Sequence, residues 1–322
     1  MTGDNSFIFN FKFMGRSNEQ GFGFLLKLCL IVFIIVVCDQ GTGMIFKHFY
    51  FRQGSGVGYL TTYSIDNTTA DILVFGSSRA NHSYVPEIFE ENLHSTFYNA
   101  GRDGTYILHN YAILKSVLRR YSPKIVIFDI RPEDIEYIVK EYEALSLLLP
   151  YYNISEIKPV IDMKSPFERF KSVSASYAYN SLIFQIAMGN LGSGKDRVSV
   201  SKGYVPIFKK LEDRSIDTSR ISPCNADKNK INALNDIILT CRQKNIDLYF
   251  VNSPTWRIMK DNSLCYNEWA GFSSQNGINY YDMSNLPVFI NNPQYFSDIY
   301  HLNDEGARIF STLITSNILK EK

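Results

Sequence analysis

The strongest pattern in the chain is a run that is apolar on every side. From Gly21 to Cys38 it reads GFGFLLKLCLIVFIIVVC, and Lys27 is its single charge. With its flanks it reaches the roughly 20 residues that cross a bilayer. Lys27 lies near the start, where its stem can reach the headgroups. The pattern predicts a transmembrane helix over 21–40, a cytoplasmic segment 1–20 and a juxtamembrane stalk 41–70. A cleaved signal peptide ranks second, because no A-x-A-like site follows and the leading segment is long. A buried core helix ranks third, because the run has no polar face. Lys12, Arg16 and Lys27 slightly outnumber Lys47 and Arg52, which places the N-terminus inside and the C-terminal domain outside the cytoplasm, periplasmic or extracellular.

A different rhythm begins at residue 71. Short apolar runs bounded by turn residues occur at Asp71–Phe75, Thr96–Asn99, Lys124–Ile130 and Asp247–Asn252, with a weaker one at Asn279–Asp282. Runs of this kind read as strands buried on both faces. Between and after them lie helical patterns at 105–120, 228–243 and 304–319, the last with Asn303 at its N-cap and Asp304 and Glu305 in its first turn. Strands alternating with helices predict a parallel sheet covered on both faces, with sites at the carboxyl ends of the strands. Residues of about 140–225 interrupt the alternation and predict a helical insertion within a domain spanning 71–322.

Composition narrows the function classes. Of 322 residues, 33 are Lys or Arg and 32 Asp or Glu, a net charge of +1, which argues against a nucleic-acid partner bound through a global basic field. Hydrophobic residues make up 45% and charged residues 20%, enough for a core and unlike a disordered chain. Cys224 and Cys265 are either a disulfide, in an oxidising compartment, or two free thiols. Cys241 reads as a core residue on a helix. No CxxC or His-rich spacing suggests a metal, and no cofactor is expected. Gly189 and Gly194–Lys195 have the glycine spacing of a phosphate cradle, but Asp196 replaces the Ser/Thr and no strand precedes, so this stretch reads as a turn. Asn67, Asn81 and Asn153 stand in glycosylation sequons, which matter only in a compartment that glycosylates.

Three short stretches have the residue types of acyl chemistry. In Val74-Phe-Gly-Ser-Ser-Arg79, Ser78 follows a strand and opens a turn, where backbone N–H groups favour developing negative charge. In Asp298-Ile-Tyr-His301, a carboxylate three residues from an imidazole can hold its tautomer and stabilise the imidazolium. In Asn99-Ala-Gly-Arg-Asp-Gly104, a glycine can offer an unhindered N–H. Each alone also reads as an ordinary turn, a capping serine or a surface pair. Their order, after the first strand, after the second and before the last helix, puts all three on the sheet edge where sites form. His82 and His109 read as structural or cleft-lining. Arg79 is a candidate for binding an anionic substrate, or for a salt bridge to Asp103 or Asp129.

In these residues the chain resembles the SGNH/GDSL hydrolase superfamily, over about 71–135 and 245–318. Gly76-Ser77-Ser78 is similar to the G-D-S block, with Ser77 replacing the Asp, and Asp298 and His301 match the D-x-x-H block. The resemblance implies a flavodoxin-like three-layer α/β fold, Ser78 as nucleophile, His301 as base and Asp298 as its orienting carboxylate. It also implies an oxyanion hole of the Ser78 and Gly104 N–H groups. The third block, normally G-x-N-D, is Asp129-Ile-Arg-Pro-Glu-Asp134 here and lacks its Asn donor, so the hole rests on the Ser78 and Gly104 N–H groups alone or borrows Arg131 or Asn81. Membrane-anchored relatives of similar layout act on envelope polysaccharides. The resemblance therefore implies an esterase or O-acyltransferase with a glycan or acylated small-molecule substrate, the lipid bilayer as partner through its helix, and envelope-biosynthesis proteins as further partners. The alternative is a non-catalytic glycan-binding or assembly protein that keeps the fold.

Overall fold

The five apolar runs form one parallel sheet. Its strands are β1 (Ile72–Phe75), β2 (Phe97–Asn99), β3 (Ile125–Asp129), β4 (Asp247–Asn252) and β5 (Asn279–Asp282), in the spatial order β2-β1-β3-β4-β5. The computed structural model describes residues 18–191, 202–212, 217–218, 224–258 and 264–320. Every pairing is parallel, and the register sets Val74 beside both Asn99 and Ile127. The alternation of strand side chains explains the unbroken apolar runs. Leu73, Phe75, Val126, Phe128 and Phe250 enter one core, and Ile72, Val74, Ile125, Ile127 and Val251 enter the other.

Each face is covered by helices, and those at Ile107–Val117, Lys228–Gln243 and Asp304–Lys320 match the helical patterns of the sequence, whereas those at Ser78–Ser83, Pro86–Leu93 and Leu264–Asn276 had not been read from it. α5 (Ile107–Val117), α10 (Lys228–Gln243) and α11 (Leu264–Asn276) complete the first core through Leu114, Leu234, Ile237 and Trp269. α3 (Ser78–Ser83), α4 (Pro86–Leu93) and α12 (Asp304–Lys320) complete the second through Ala80, Phe89, Phe310 and Ile314. The result is the expected three-layer α/β architecture, with β1 as the strand where the winding reverses. Cys241 is buried in the first core, and Cys224 and Cys265 form a disulfide.

The N-terminal half of the chain departs from a simple anchor and stalk. α1 (Asn18–Phe51) is apolar and unburied over its first part, then continues past residue 40. α2 (Gly56–Asp66) packs against α5, burying Leu60 and Ile65, so residues 41–70 form two helices joined to the domain. Gly58 allows close approach of the two helices, since a Cβ there would press on the Tyr50 ring. The insertion is helical as expected, in short pieces: α6 (Val139–Ala144), α7 (Lys158–Asp162), α8 (Glu168–Lys171) and α9 (Ile183–Leu191). Residues 1–17 and 192–196, the latter carrying most of the cradle-like stretch, lie outside the described residues.

Candidate active site

The site is built on the loops after β1 and β2 and the turn before α12. The β1 loop turns sharply at Gly76, whose φ of +150° suits glycine, and a Cβ there would lie 2.8 Å from that of Ala80. Ser77 stands at the N-cap in extended backbone, so Ser78 is the first residue of α3. The β2 loop is sewn to this turn by its own side chains. Asn99 Nδ2 donates to Ala80 O at 2.7 Å, the Arg102 N–H donates to Gly76 O at 3.2 Å, and Thr105 Oγ1 donates to the same carbonyl. The loop ends at Gly104, with φ +70°. The Arg102 guanidinium is buried and reaches Asn99 O at 2.8 Å and the Tyr98 hydroxyl at 2.6 Å, with no carboxylate paired to it among the described residues.

The turn before α12 is held to the same place by helix packing. Ser311 of α12 donates to Ser83 O at 3.1 Å and accepts from the Val85 N–H at 2.9 Å, fastening the last helix behind α3. Asn303 caps α12 as expected, its Oδ1 accepting from the Gly306 N–H at 3.0 Å. Residues 223 positions apart in the sequence thereby meet: His301 Nε2 lies 2.7 Å from Ser78 Oγ. On the other side of the ring, His301 Nδ1 lies 2.9 Å from Asp298 Oδ2. Asp298 Oδ1 also accepts from the backbone N–H groups of Tyr300, at 2.7 Å, and His301, at 3.0 Å. Burial alone would push the Asp298 carboxyl up, but the bonds from His301 and from the two backbone donors outweigh it and hold it below its usual range.

These groups face a cleft of about 370 Å³ lined by Ser77, Ser78, Arg79, Gly104, Tyr106, Arg131, Tyr300 and His301. The N–H groups of Ser78 and Gly104 donate to no acceptor among the described residues. Arg131 Nε and Nη2 are taken by Asp134, at 3.0 and 2.7 Å, while Nη1 donates to no described residue. The Asp134 carboxylate raises the already high pKa of Arg131, so its charge is permanent.

Two expectations need correction. Arg79 is not available to substrate. Its buried Nη2 pairs with Asp129 Oδ1 at 2.6 Å, and Nη1 donates to Asn252 Oδ1 at 3.1 Å and Ser253 O at 3.2 Å. A carboxylate buried at the end of β3 requires a counter-ion, and Arg79 supplies it. Asn81 is not placed as a substitute oxyanion donor, because it is buried outside the cleft lining and its Nδ2 donates to Asp103 Oδ1 at 3.1 Å. His109 is buried on α5 outside the cleft lining, where burial and the Arg102 charge push its pKa down to about 3.

The motif reading missed a second imidazole–carboxylate pair. His82 Nε2 lies 3.2 Å from Asp103 Oδ1 and Nδ1 lies 2.6 Å from Val205 O, and the ring centroids of His82 and His301 are 5.5 Å apart. Asp103 thus ties the Gly104 loop to Asn81 and His82 of α3. The cleft-lining roles of Tyr106 and Tyr300 also had no signal beyond their closeness to the motifs. Among the described residues no three His, Cys, Asp or Glu side chains gather as a metal site.

No protein-family profile matches the chain, and no curated protein matches it in sequence. Solved structures similar in shape include a protein assigned as an acylhydrolase from Bacteroides fragilis, 11% identical over 78% of this chain and 86% of that one, with a TM-score of 0.38. Another is a GDSL-like lipase from Bacteroides thetaiotaomicron, 12% identical over 78% and 88%, with a TM-score of 0.37. A gut microbial diltiazem-metabolizing enzyme is 14% identical over 76% and 46%, with a TM-score of 0.27. By its own structure the chain is an α/β protein with a five-stranded parallel sheet, a long apolar N-terminal helix and a serine, an imidazole and a carboxylate in line at the carboxyl edge of the sheet.

Proposed function

We propose that this protein is a membrane-anchored serine esterase or O-acyltransferase of SGNH type, acting on acyl groups of a cell-envelope polysaccharide. The observation that carries the reading is the line of contacts Ser78 Oγ, His301 Nε2, His301 Nδ1, Asp298 Oδ2, at 2.7 and 2.9 Å. In this reading Ser78 Oγ attacks the acyl carbonyl carbon while its proton passes to His301 Nε2. Asp298 keeps the Nδ1–H tautomer and stabilises the imidazolium. The carbonyl oxygen, now an anion, is held by the Ser78 and Gly104 N–H groups, with Arg131 Nη1 in place of the absent Asn. The C–O bond to the departing alcohol then breaks, and His301 returns the proton to that alcohol. The resulting acyl-Ser78 is attacked by water or a sugar hydroxyl, whose proton His301 takes in turn, and Ser78 is released.

Three features support the substrate class and location. Tyr106 and Tyr300 line the cleft, and aromatic side chains in a cleft suit a sugar ring. The Cys224–Cys265 disulfide suits an oxidising compartment outside the cytoplasm. The apolar part of α1 suits a single span. The test is to incubate the full chain in detergent with p-nitrophenyl acetate, with and without an unacetylated oligosaccharide. The reading predicts nitrophenol release that Ser78→Ala abolishes, and mass spectrometry of the oligosaccharide separates transfer from hydrolysis. A wild-type protein that binds glycan but releases no nitrophenol and moves no acyl group would favour the non-catalytic scaffold.

A further inference from the structure

Exposed apolar side chains gather where the insertion meets α1. Asp39 directly follows the apolar run Gly21–Cys38. Its carboxylate accepts from Ser174 Oγ at 2.7 Å, from the Ala175 N–H at 2.8 Å and from Ser176. One turn further on, Gly43 is buried so closely against Ala175 that a Cβ would collide with it. Loop 174–176 is therefore fastened to α1 at the point where the apolar run ends. If that run crosses the hydrocarbon, Asp39 and the loop that holds it lie at the level of the lipid headgroups.

Immediately before this loop stand Phe167, Phe170 and Val173, which are 63%, 61% and 77% exposed. Arg169 and Lys171 are interleaved with them and also exposed; the Arg169 guanidinium lies 4.8 Å from the Phe170 ring centroid, while Lys171 Nζ pairs with the buried Glu168 carboxylate at 2.9 Å. Large apolar side chains left in water forfeit about 25 cal/mol for each Å² that burial would cover. Rings and aliphatic groups alternating with arginine and lysine match a membrane interface, where the apolar groups enter the acyl-chain boundary and the cations meet lipid phosphates.

We propose that segment 167–173 of the insertion enters the interface of the bilayer that α1 spans. It is a second membrane contact, and it sets how the domain stands on the surface. A lone helix would leave the domain free to tilt, whereas two contacts at one depth fix its orientation and that of the cleft. The occupant is the anionic phospholipid surface itself, argued from the fastening of this segment to α1 and from the Arg169 guanidinium, which no carboxylate pairs among the described residues. The inference rests on the reading of α1 as a membrane span.

The test reconstitutes the full chain in vesicles of brominated phosphatidylcholine and phosphatidylglycerol and follows tryptophan emission. Phe170→Trp reports on the insertion and Leu30→Trp on the span, against the background of the buried native Trp256 and Trp269. Both new tryptophans are expected to lose emission in step with the brominated fraction. Loss at Leu30→Trp with none at Phe170→Trp would overturn the second contact and leave the anchor standing. Loss at neither would overturn both.

Discussion

Two contacts beside Ser78 each pair an imidazole with a carboxylate, one within a turn and one between α3 and the loop after β2, and only the first is arranged for proton transfer. In the 298–301 turn, one ring nitrogen of His301 faces Asp298 and the other faces the Ser78 hydroxyl. A hydroxyl can donate, so the neutral ring with its proton on Nδ1 satisfies both sides and keeps a free lone pair for the Ser78 proton. In the 82–103 contact, both partners of His82 are acceptors: the Asp103 carboxylate and the Val205 carbonyl. Only the imidazolium, with two N–H groups, satisfies both. Burial alone would lower the His82 pKa, but the bonds to Asp103 and Val205 outweigh it and raise it above 6.5. A ring whose two nitrogens both face acceptors is a tie, not a base. What faces the second nitrogen separates the two roles.

The largest effects should fall on the 298–301 turn. Ser78→Ala or His301→Ala should lower kcat/KM for ester turnover by about 10⁴-fold or more with the circular dichroism spectrum unchanged. Asp298→Asn should cost about 10²–10⁴-fold, because Asn still accepts from the backbone of Tyr300 and His301 but no longer stabilises the charged ring. A rate equal to wild type in Asp298→Asn would break the assignment of that turn. Arg131→Met should cost about 10²-fold in kcat if its Nη1 stands in for the absent Asn, and little if two N–H donors suffice. His82→Gln should lower kcat by less than about tenfold, roughly 1.4 kcal/mol of barrier. A loss as deep as that of His301→Ala would erase the comparison.

The smallest effect is on stability, and its pH dependence carries a sign. His82 has a raised pKa, so its contribution is complete below about 6.5 and lost as pH rises through the folded value. The His82 bond lowers the Asp103 pKa, as does the bond from Asn81, so that contribution is complete above its ordinary value near 3.8 and lost as pH falls through the folded value. The pair therefore stabilises most between those limits. Asp103→Asn should lower stability there by about 0.5–1 kcal/mol, a figure discounted because Asp103 is well exposed. Thermal melts across pH should show the gap to wild type closing at both ends.

The sheet was legible because strands buried on both faces leave uninterrupted apolar runs, and turn residues mark their ends. Even the half-buried edge strand Asn279–Asp282 showed as a weaker run. Ser78, Gly104, Asp298 and His301 stood out through the order of their stretches along the chain and the family resemblance those stretches carry, since each alone reads as an ordinary turn, a capping serine or a surface pair. The ties of Arg79 to Asn252 and of His82 to Val205 were not, since they depend on which elements the sheet brings together. Helix α1 was legible over its apolar part and hidden beyond it, because its continuation is stabilised by contacts with the insertion, such as Asp39 with Ser174, rather than by its own pattern.

The most direct test is intact-mass analysis after treatment with a fluorophosphonate, followed by peptide mapping. Wild type and His82→Gln should each gain one phosphonyl group on Ser78, Ser78→Ala should gain none, and His301→Ala should react far more slowly. A wild-type protein that stays unmodified, or a label that maps to Ser77 and persists in Ser78→Ala, would contradict the assignment of Ser78 as the activated nucleophile.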